Sequence, residues 1–269
     1  YARLYPNNCI LLVDTYDTLK SGVKNAILCY DAMKEEGISL KRFGIRLDSG
    51  DLAYLSKKAR KMLDEAGYPD AIISASNDLD ENLIASLKVQ GACITSWGVG
   101  TNLITSESQP SFGGVYKLAA ICSPEGEWIP KIKLSENSAK ITNPGNKQIY
   151  RITEKDSGKV FADYITLEDE VFSEKEDLVL FDPVDTWKKS TLKGGSYEMK
   201  PLLVPIFLGG KLVYNCPPVE EIVAHCKREQ ESLWEECRRL TNPHAVHVDL
   251  SDKLYEIKKG LLAQYSRGE

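Results

Sequence analysis

Four short polar stretches, each directly after an apolar run, carry the side chains on which chemistry could be built. They are Asp14-Thr15-Tyr16-Asp17, Asp48-Ser49-Gly50-Asp51, Ser74-Ala75-Ser76-Asn77-Asp78 and Ser96-Trp97-Gly98-Val99-Gly100-Thr101-Asn102. Between Gly98 and Thr101 the glycines let backbone N–H groups approach an anion closely, and Ser76-Asn77 precedes a helical stretch whose dipole favours negative charge. A phosphate held between these two loops is one reading; a tight turn at Gly98-Val99-Gly100 with Ser76 as a helix cap is the other. Four polar rims in succession favour a site.

Arg46 stands in an otherwise apolar run, one residue before its end, so its guanidinium needs a partner in the folded state. A planar carboxylate on a ligand would satisfy it with two parallel hydrogen bonds; an ion pair with Asp48 or Asp17 would also do. Asp14, Asp17, Asp48 and Asp51 could bind sugar hydroxyls or hold Mg²⁺ through water, since Mg²⁺ prefers few carboxylates together with substrate phosphates. Of these, Asp51 is assigned as a helix cap and Asp48 as the ligand contact. Lys140 and Lys147 flank a basic loop, 141–146, suited to a polyphosphate, or are solvated surface charges. His225, His244 and His247 fall in the C-terminal tail and read as structural or exposed.

The elements that must position these residues are βα units. Strands are predicted at Cys9–Val13, Phe43–Leu47, Ala71–Ala75 and Ala92–Thr95, each nearly uninterrupted apolar sequence, as in parallel sheets covered on both faces. Helical spacing links them. Leu19 through Met33 ends at Gly37, and Leu52 through Leu63 is capped by Ser49 or Asp51 and stopped at Gly67. Leu79 through Leu87 is opened by Asp78 and Glu81 as a capping box and stopped at Gly91. In such sheets ligands bind beyond the carboxyl ends of the strands, where the four polar stretches lie. After Gly114 the character changes. Val115–Ile121 reads as a strand, 147–213 as β-rich, with strands at Gln148–Ile152, Lys159–Tyr164 and Lys211–Tyr214, and the tail closes with helices over Val219–Leu240 and Ser251–Tyr265. The expected organisation is an α/β barrel portion over 1–135 and a β-rich and helical portion over 136–269.

The 269 residues carry a formal net charge of −5 with both signs interspersed, which argues against a nucleic-acid partner. No run of about 18 apolar residues reads as a membrane span, and no signal peptide is evident. Seven scattered cysteines without a CxxC pair fit free thiols in a reducing compartment, so a soluble, cytoplasmic protein is expected.

At these same residues the sequence resembles the nicotinate phosphoribosyltransferase family. Leu11–Thr18, Gly44–Leu52, Ser74–Asp80, Gly98–Leu103 and Gly113–Leu118 match that family's motifs in its order, and Lys133–Glu136 through Asn143–Gly145 continue the match. The resemblance implies an irregular type II phosphoribosyltransferase barrel, present in part, beside a smaller β-rich layer with C-terminal helices, and a homodimer with shared sites. It implies that nicotinate and phosphoribosyl pyrophosphate give nicotinate mononucleotide and pyrophosphate, with Mg²⁺ and ATP hydrolysis assisting. Arg46 would then face the pyridine carboxylate, and Asp48, beside Ser49 and Gly50, the ribose hydroxyls. Ser76, Asn77, Gly98, Gly100 and Thr101 would hold the 5-phosphate; Asp14 would sit near the metal and pyrophosphate, and Lys140 and Lys147 near the phosphates. A relative acting on nicotinamide or quinolinate, or a phosphoribosyl-binding segment without catalysis, are the alternatives. None of the three histidines matches the family's phosphate-accepting motif, so the chain is expected to be a C-terminal portion of the enzyme, inactive or nearly so when isolated. The opening Tyr1–Pro6 is read as the tail of a helix.

Overall fold

The computed structural model describes residues 1–111, 113–135 and 140–265. The chain divides into two compact units, Tyr1–Gly114 and Val115–Glu269. Both mix helices with strands.

In the first unit, β1 (Cys9–Leu12), β2 (Phe43–Leu47), β3 (Ile72–Ala75) and β4 (Ser96–Trp97) form a parallel sheet in chain order, joined by α1 (Val23–Glu35), α2 (Leu52–Glu65) and α3 (Glu81–Val89) and followed by α4 (Thr101–Ile104). The apolar stripe of α1 buries Val23, Ala26, Tyr30 and Met33, and that of α2 buries Leu52, Ala53, Ala59 and Leu63. These side chains join Ile45, Leu47, Ile73 and Ala75 in one core. Tyr30 sits at its centre, donating its hydroxyl to the Gly44 carbonyl (2.6 Å) and stacking edge-on against Phe43 and Tyr68.

Several expectations need correcting. The strands are not covered evenly on both faces: Ile45 and Leu47 are fully buried, while Leu12 is 49% exposed and Arg46, next along β2, is exposed as well. Because strand side chains alternate, Arg46 lies on the face opposite the Ile45/Leu47 core. The fourth strand is Ser96–Trp97 rather than Ala92–Thr95; Thr95 closes the gap before it, its N–H donating to the Ile73 carbonyl (2.9 Å) and its hydroxyl accepting from the Ile73 N–H (3.2 Å). Asp80, not Asp78, caps α3 by accepting from the Leu83 N–H (2.6 Å), because Asn77 and Asp78 both take left-handed backbone conformations (φ 88° and 42°) and push the helix start onward. Tyr1–Pro6 is a turn, closed by the Tyr5 N–H on the Tyr1 carbonyl (2.9 Å). Among the described residues the sheet of this unit has four strands and closes no barrel.

In the second unit, β5 (Ala120–Cys122) and β6 (Trp128–Pro130) make a hairpin, so most of the expected Val115–Ile121 strand is not in a ladder. A mixed sheet in the order β11-β7-β8-β14 joins β7 (Lys147–Glu154), β8 (Val160–Leu167), β11 (Tyr197–Pro201) and β14 (His247–Leu250), the last parallel to β8. Two ribbons accompany it: β9 (Leu178–Phe181) with β10 (Lys189–Leu192), and β12 (Phe207–Leu208) with β13 (Lys211–Leu212), the latter shorter than expected. The helix expected over Val219–Leu240 stops early, as α5 (Val219–Ser232) followed by a 3₁₀ turn at Glu235–Arg238; α6 (Asp252–Tyr265) follows β14. The α5 helix buries no side chain of its own, and Arg151 holds it by bridging Asp163 (2.9 Å) and Glu229 (2.8 Å). No helix among the described residues is long and apolar enough to cross a membrane.

A single turn of π-helix, Thr18–Gly22, carries the chain from the first polar stretch into α1. A Cβ on Gly22 would lie 1.8 Å from the Val13 carbonyl oxygen, so only glycine lets α1 start this close to the end of β1. Gly22→Ala should therefore cost roughly 1–3 kcal/mol or more through overpacking, seen as a lower urea midpoint with an unchanged slope. Wild-type stability in that variant would show that the close approach is not required.

Candidate functional site

The register of the parallel sheet builds the site. Leu12 pairs with Arg46, Arg46 with Ser74 and Ser74 with Ser96, which puts these four residues in one row across the sheet. Continuing each strand by two residues puts Asp14, Asp48, Ser76 and Gly98 in the next row, on the same face and just beyond the carboxyl ends. The polar stretches are therefore one rim, aligned by strand pairing.

Hydrogen bonds tie this rim crosswise. One carboxylate oxygen of Asp14, Oδ2, accepts from the Asp48 backbone N–H (2.6 Å) and from the Ser49 hydroxyl (2.9 Å), fixing the loop after β2 to the end of β1. Asp48 Oδ1 accepts a hydrogen bond from the Ser76 hydroxyl, and the Ser76 N–H donates to the Leu47 carbonyl (2.9 Å), fixing β2 to β3. The Gly98 N–H reaches the Ala75 carbonyl (2.7 Å), fixing β3 to β4. Each of these acceptors is satisfied by the neighbouring strand, and Trp97 and Val99 pack the last stretch against the core.

Arg46 lies 3.5 Å from Asp48 Oδ1 through Nη2, with about half of each side chain in solvent (48% and 44%). Of the two internal partners weighed for the guanidinium, Asp48 is the one found. Asp17 is engaged elsewhere, capping the π-helical turn by accepting from the Lys20 N–H (2.8 Å). The Arg46–Asp48 contact is single and longer than a good hydrogen bond, and an exposed pair of this kind contributes at most about 1 kcal/mol. The remaining N–H donors of the guanidinium thus stay available on the uncovered face. Asp51 caps α2, accepting from the Tyr54 N–H (2.9 Å), as assigned.

The phosphate-loop residues divide. Ser76 is part of the rim, and Asn77 follows it at the left-handed turn. Gly100 caps α4, its carbonyl accepting from the Leu103 and Ile104 N–H groups, with nothing within 4 Å of where a Cβ would stand; Thr101 begins that helix. A residue without an assigned role emerges here: Asn102 donates through Nδ2 to the Asp78 carbonyl (3.0 Å) and the Leu79 carbonyl (3.3 Å), tying the loop after β4 to the loop after β3. Its place two residues after Gly100 was the only sequence signal for that role. Gly50, with φ at +76°, makes the turn between Ser49 and the α2 cap.

Lys140 and Lys147 belong to the second unit. Lys147 is partly buried, donates to the Gly145 carbonyl (2.6 Å), and has its ammonium pKa pushed down by desolvation. The Lys140 carbonyl accepts from Lys117 Nζ (2.6 Å). Glu136, the last residue of one matching motif, lies outside the described residues.

Comparison with known proteins bears on both units. A family model described as the nicotinate phosphoribosyltransferase C-terminal domain matches residues 146–258. The nicotinate phosphoribosyltransferase of Bacillus subtilis is 47% identical over 96% of this chain and 51% of its own length. The Dictyostelium discoideum protein of that name is 34% identical over 95% of this chain and 44% of its own length. The chain belongs to the nicotinate phosphoribosyltransferase family. It spans about half the length of the curated relatives it matches. Among solved structures, human nicotinic acid phosphoribosyltransferase superposes with a TM-score of 0.73 at 27% identity, covering 97% of this chain and 48% of the human one. Nicotinate-nucleotide pyrophosphorylase from Pyrococcus furiosus shares the fold, with a TM-score of 0.50 at 22% identity over 83% of this chain.

Asp14→Ala removes the acceptor that anchors the Asp48 N–H. The expected loss of stability is about 1–3 kcal/mol, the range for leaving a partly buried donor unpaired, and amide exchange at Asp48 and Ser49 should quicken beyond the global change. Unchanged exchange there would show that the rim is held by other contacts.

Proposed function

We propose that the rim of the first unit is the nicotinate and phosphoribosyl end of a nicotinate phosphoribosyltransferase site, forming nicotinate mononucleotide and pyrophosphate in NAD salvage. The observation that carries the reading is Arg46: a guanidinium on the uncovered face, one row below Asp48 and Ser76 and only loosely paired. Its planar fork suits the carboxylate of nicotinate. Asp48, steadied through its backbone by Asp14 and through Oδ1 by Ser76, keeps Oδ2 for ribose hydroxyls, with Ser49 and Gly50 shaping the turn beside it. Ser76, Asn77, Gly98, Gly100 and Thr101 line the two loops proposed to hold the 5-phosphate.

In the reaction the pyridine nitrogen bonds to the anomeric carbon as the bond from that carbon to pyrophosphate breaks, through an oxocarbenium-like centre. The protein contributes position and charge: Arg46 orients the ring through its carboxylate, and the carboxylate of Asp48 lies near the developing positive charge. Mg²⁺ would supply neutralisation of the leaving pyrophosphate. The donor set fits such an ion, because Asp14 Oδ2 is taken by Asp48 and Ser49 while Oδ1 remains for a metal-bound water. An ion held by few protein carboxylates plus substrate phosphates is the mode Mg²⁺ favours. ATP hydrolysis, a homodimer with shared sites and a cytoplasmic location complete the reading; no residue of this chain is assigned to ATP.

Titration of the 269-residue chain with nicotinate mononucleotide tests this. Binding is expected, and Arg46→Lys should weaken it by about tenfold, the worth of a lost bidentate contact of about 1.5 kcal/mol, while changing the affinity for ribose 5-phosphate by less than a factor of two. Equal losses for both ligands would assign Arg46 to a structural ion pair, and absence of binding to the wild type would overturn the phosphate site.

A further inference from the structure

The second unit contains a buried carboxylate that its own fold does not use. Four polar or charged residues are buried in the described chain: Ser56, Thr166, Asp249 and Ser251. Three have their partners: Ser56 on the Ala53 carbonyl, Thr166 on the Leu167 carbonyl and Ser251 on Glu170. Asp249 is only 6% exposed, and among the described residues its carboxylate makes no hydrogen bond or ion pair. Its oxygens are not sealed from solvent, so the unpaired carboxylate opens on the space beside it.

Asp249 lies on β14, the edge strand of the mixed sheet, and lines a cleft of about 380 Å³ between that edge and the β9–β10 ribbon. Phe161 and Phe181 form apolar walls, with Asp182 and His247 beside Asp249. The neighbouring cations do not neutralise it: Lys188 is committed to Asp185 (2.5 Å), and Lys189, on the rim, makes no bond to it. Asp182 Oδ1 accepts from the Val184 and Asp185 N–H groups. Burial pushes the Asp249 carboxyl above the ordinary range, with His247 opposing and Asp182 adding to the shift. No third ligand turns the pair Asp249 and His247 into a metal site among the described residues.

We propose that this cleft binds a small organic cation, a guanidinium or ammonium on a short apolar stem, with Asp249 as its counter-ion. The head would receive the charge-assisted hydrogen bond that Asp249 lacks, and the stem would lie against the phenylalanine walls, whose ring faces also attract a cation. The proposal is independent of the role given to Arg46, which lies in the other unit.

Isothermal titration of the 269-residue chain with n-butylguanidinium, and with uncharged n-butylurea as control, decides it. The expected result is one-to-one binding of the cation and none of the urea, with affinity reduced on the order of tenfold in Asp249→Asn, as for loss of a charge-assisted hydrogen bond. Ser190→Arg places a rival charge on the exposed rim of the cleft without touching its buried residues, and a similar loss is expected there even if Asp249→Asn folds poorly. No binding to the wild type, equal binding of the urea, or unchanged affinity in Ser190→Arg would each overturn the proposal.

Discussion

The functional rim depends on one carboxylate accepting one backbone proton: Asp14 at the end of β1 receives the N–H of Asp48 at the end of β2. Parallel pairing alone aligns residues within the ladder, but ladders fray at their ends, where loops diverge. Asp14 carries the alignment past the last ladder bond, and the Ser76–Asp48 and Gly98–Ala75 contacts extend it across the remaining strands. The loops therefore leave the sheet in step, and side chains distant in sequence share a row. This has a cost, since Asp14 and Ser76 spend part of their hydrogen-bonding capacity on the scaffold. What remains free, one oxygen on each of Asp14 and Asp48 and most of the Arg46 guanidinium, is what the site can offer a ligand.

Much of this was legible in the sequence because the relevant signals are local. An arginine inside an apolar run marks a charge that must be used, and Arg46 proved to sit on the one face of β2 left open. Asp51 could be named as a cap because a side chain reaching three residues forward is a short-range event. The failures share the opposite cause. Asp78 looked like the cap of α3, but two consecutive left-handed residues displaced the helix start to Asp80, a choice set by how the loop crosses the sheet end. Strand four was placed on the most apolar residues, whereas the ladder forms two residues later, where β3 can pair. Coverage of both faces was inferred from apolarity alone, and apolarity does not say whether the second face meets a helix or is left open. The roles of Asp14 and Asn102 as ties between loops needed the register, which no single stretch of sequence carries.

Family membership and physical geometry support the reading in different ways. The family model covers much of the second unit, whereas the aligned rim, with its guanidinium and carboxylates, lies in the first. The relative from Bacillus subtilis spans both. The likeness identifies the lineage; the row of Asp14, Asp48, Ser76 and Gly98 shows how this chain brings its strand-end residues together, since any displacement along one strand would take its residue out of the row. The same logic separates Asp249 from the rim: its unpaired carboxylate lines a cleft of the second unit rather than a row placed by register.

The central claim is that the rim at the strand ends presents Arg46 to a pyridine carboxylate and, one row on, Asp48 to a ribose. A crystal structure of the 269-residue chain with nicotinate mononucleotide tests it most directly. The account predicts the ligand carboxylate within hydrogen-bonding distance of the Arg46 guanidinium, the ribose hydroxyls on Asp48, and the Asp14–Asp48 bond intact. A ligand bound elsewhere, with the Arg46–Asp48 pair undisturbed, would contradict it.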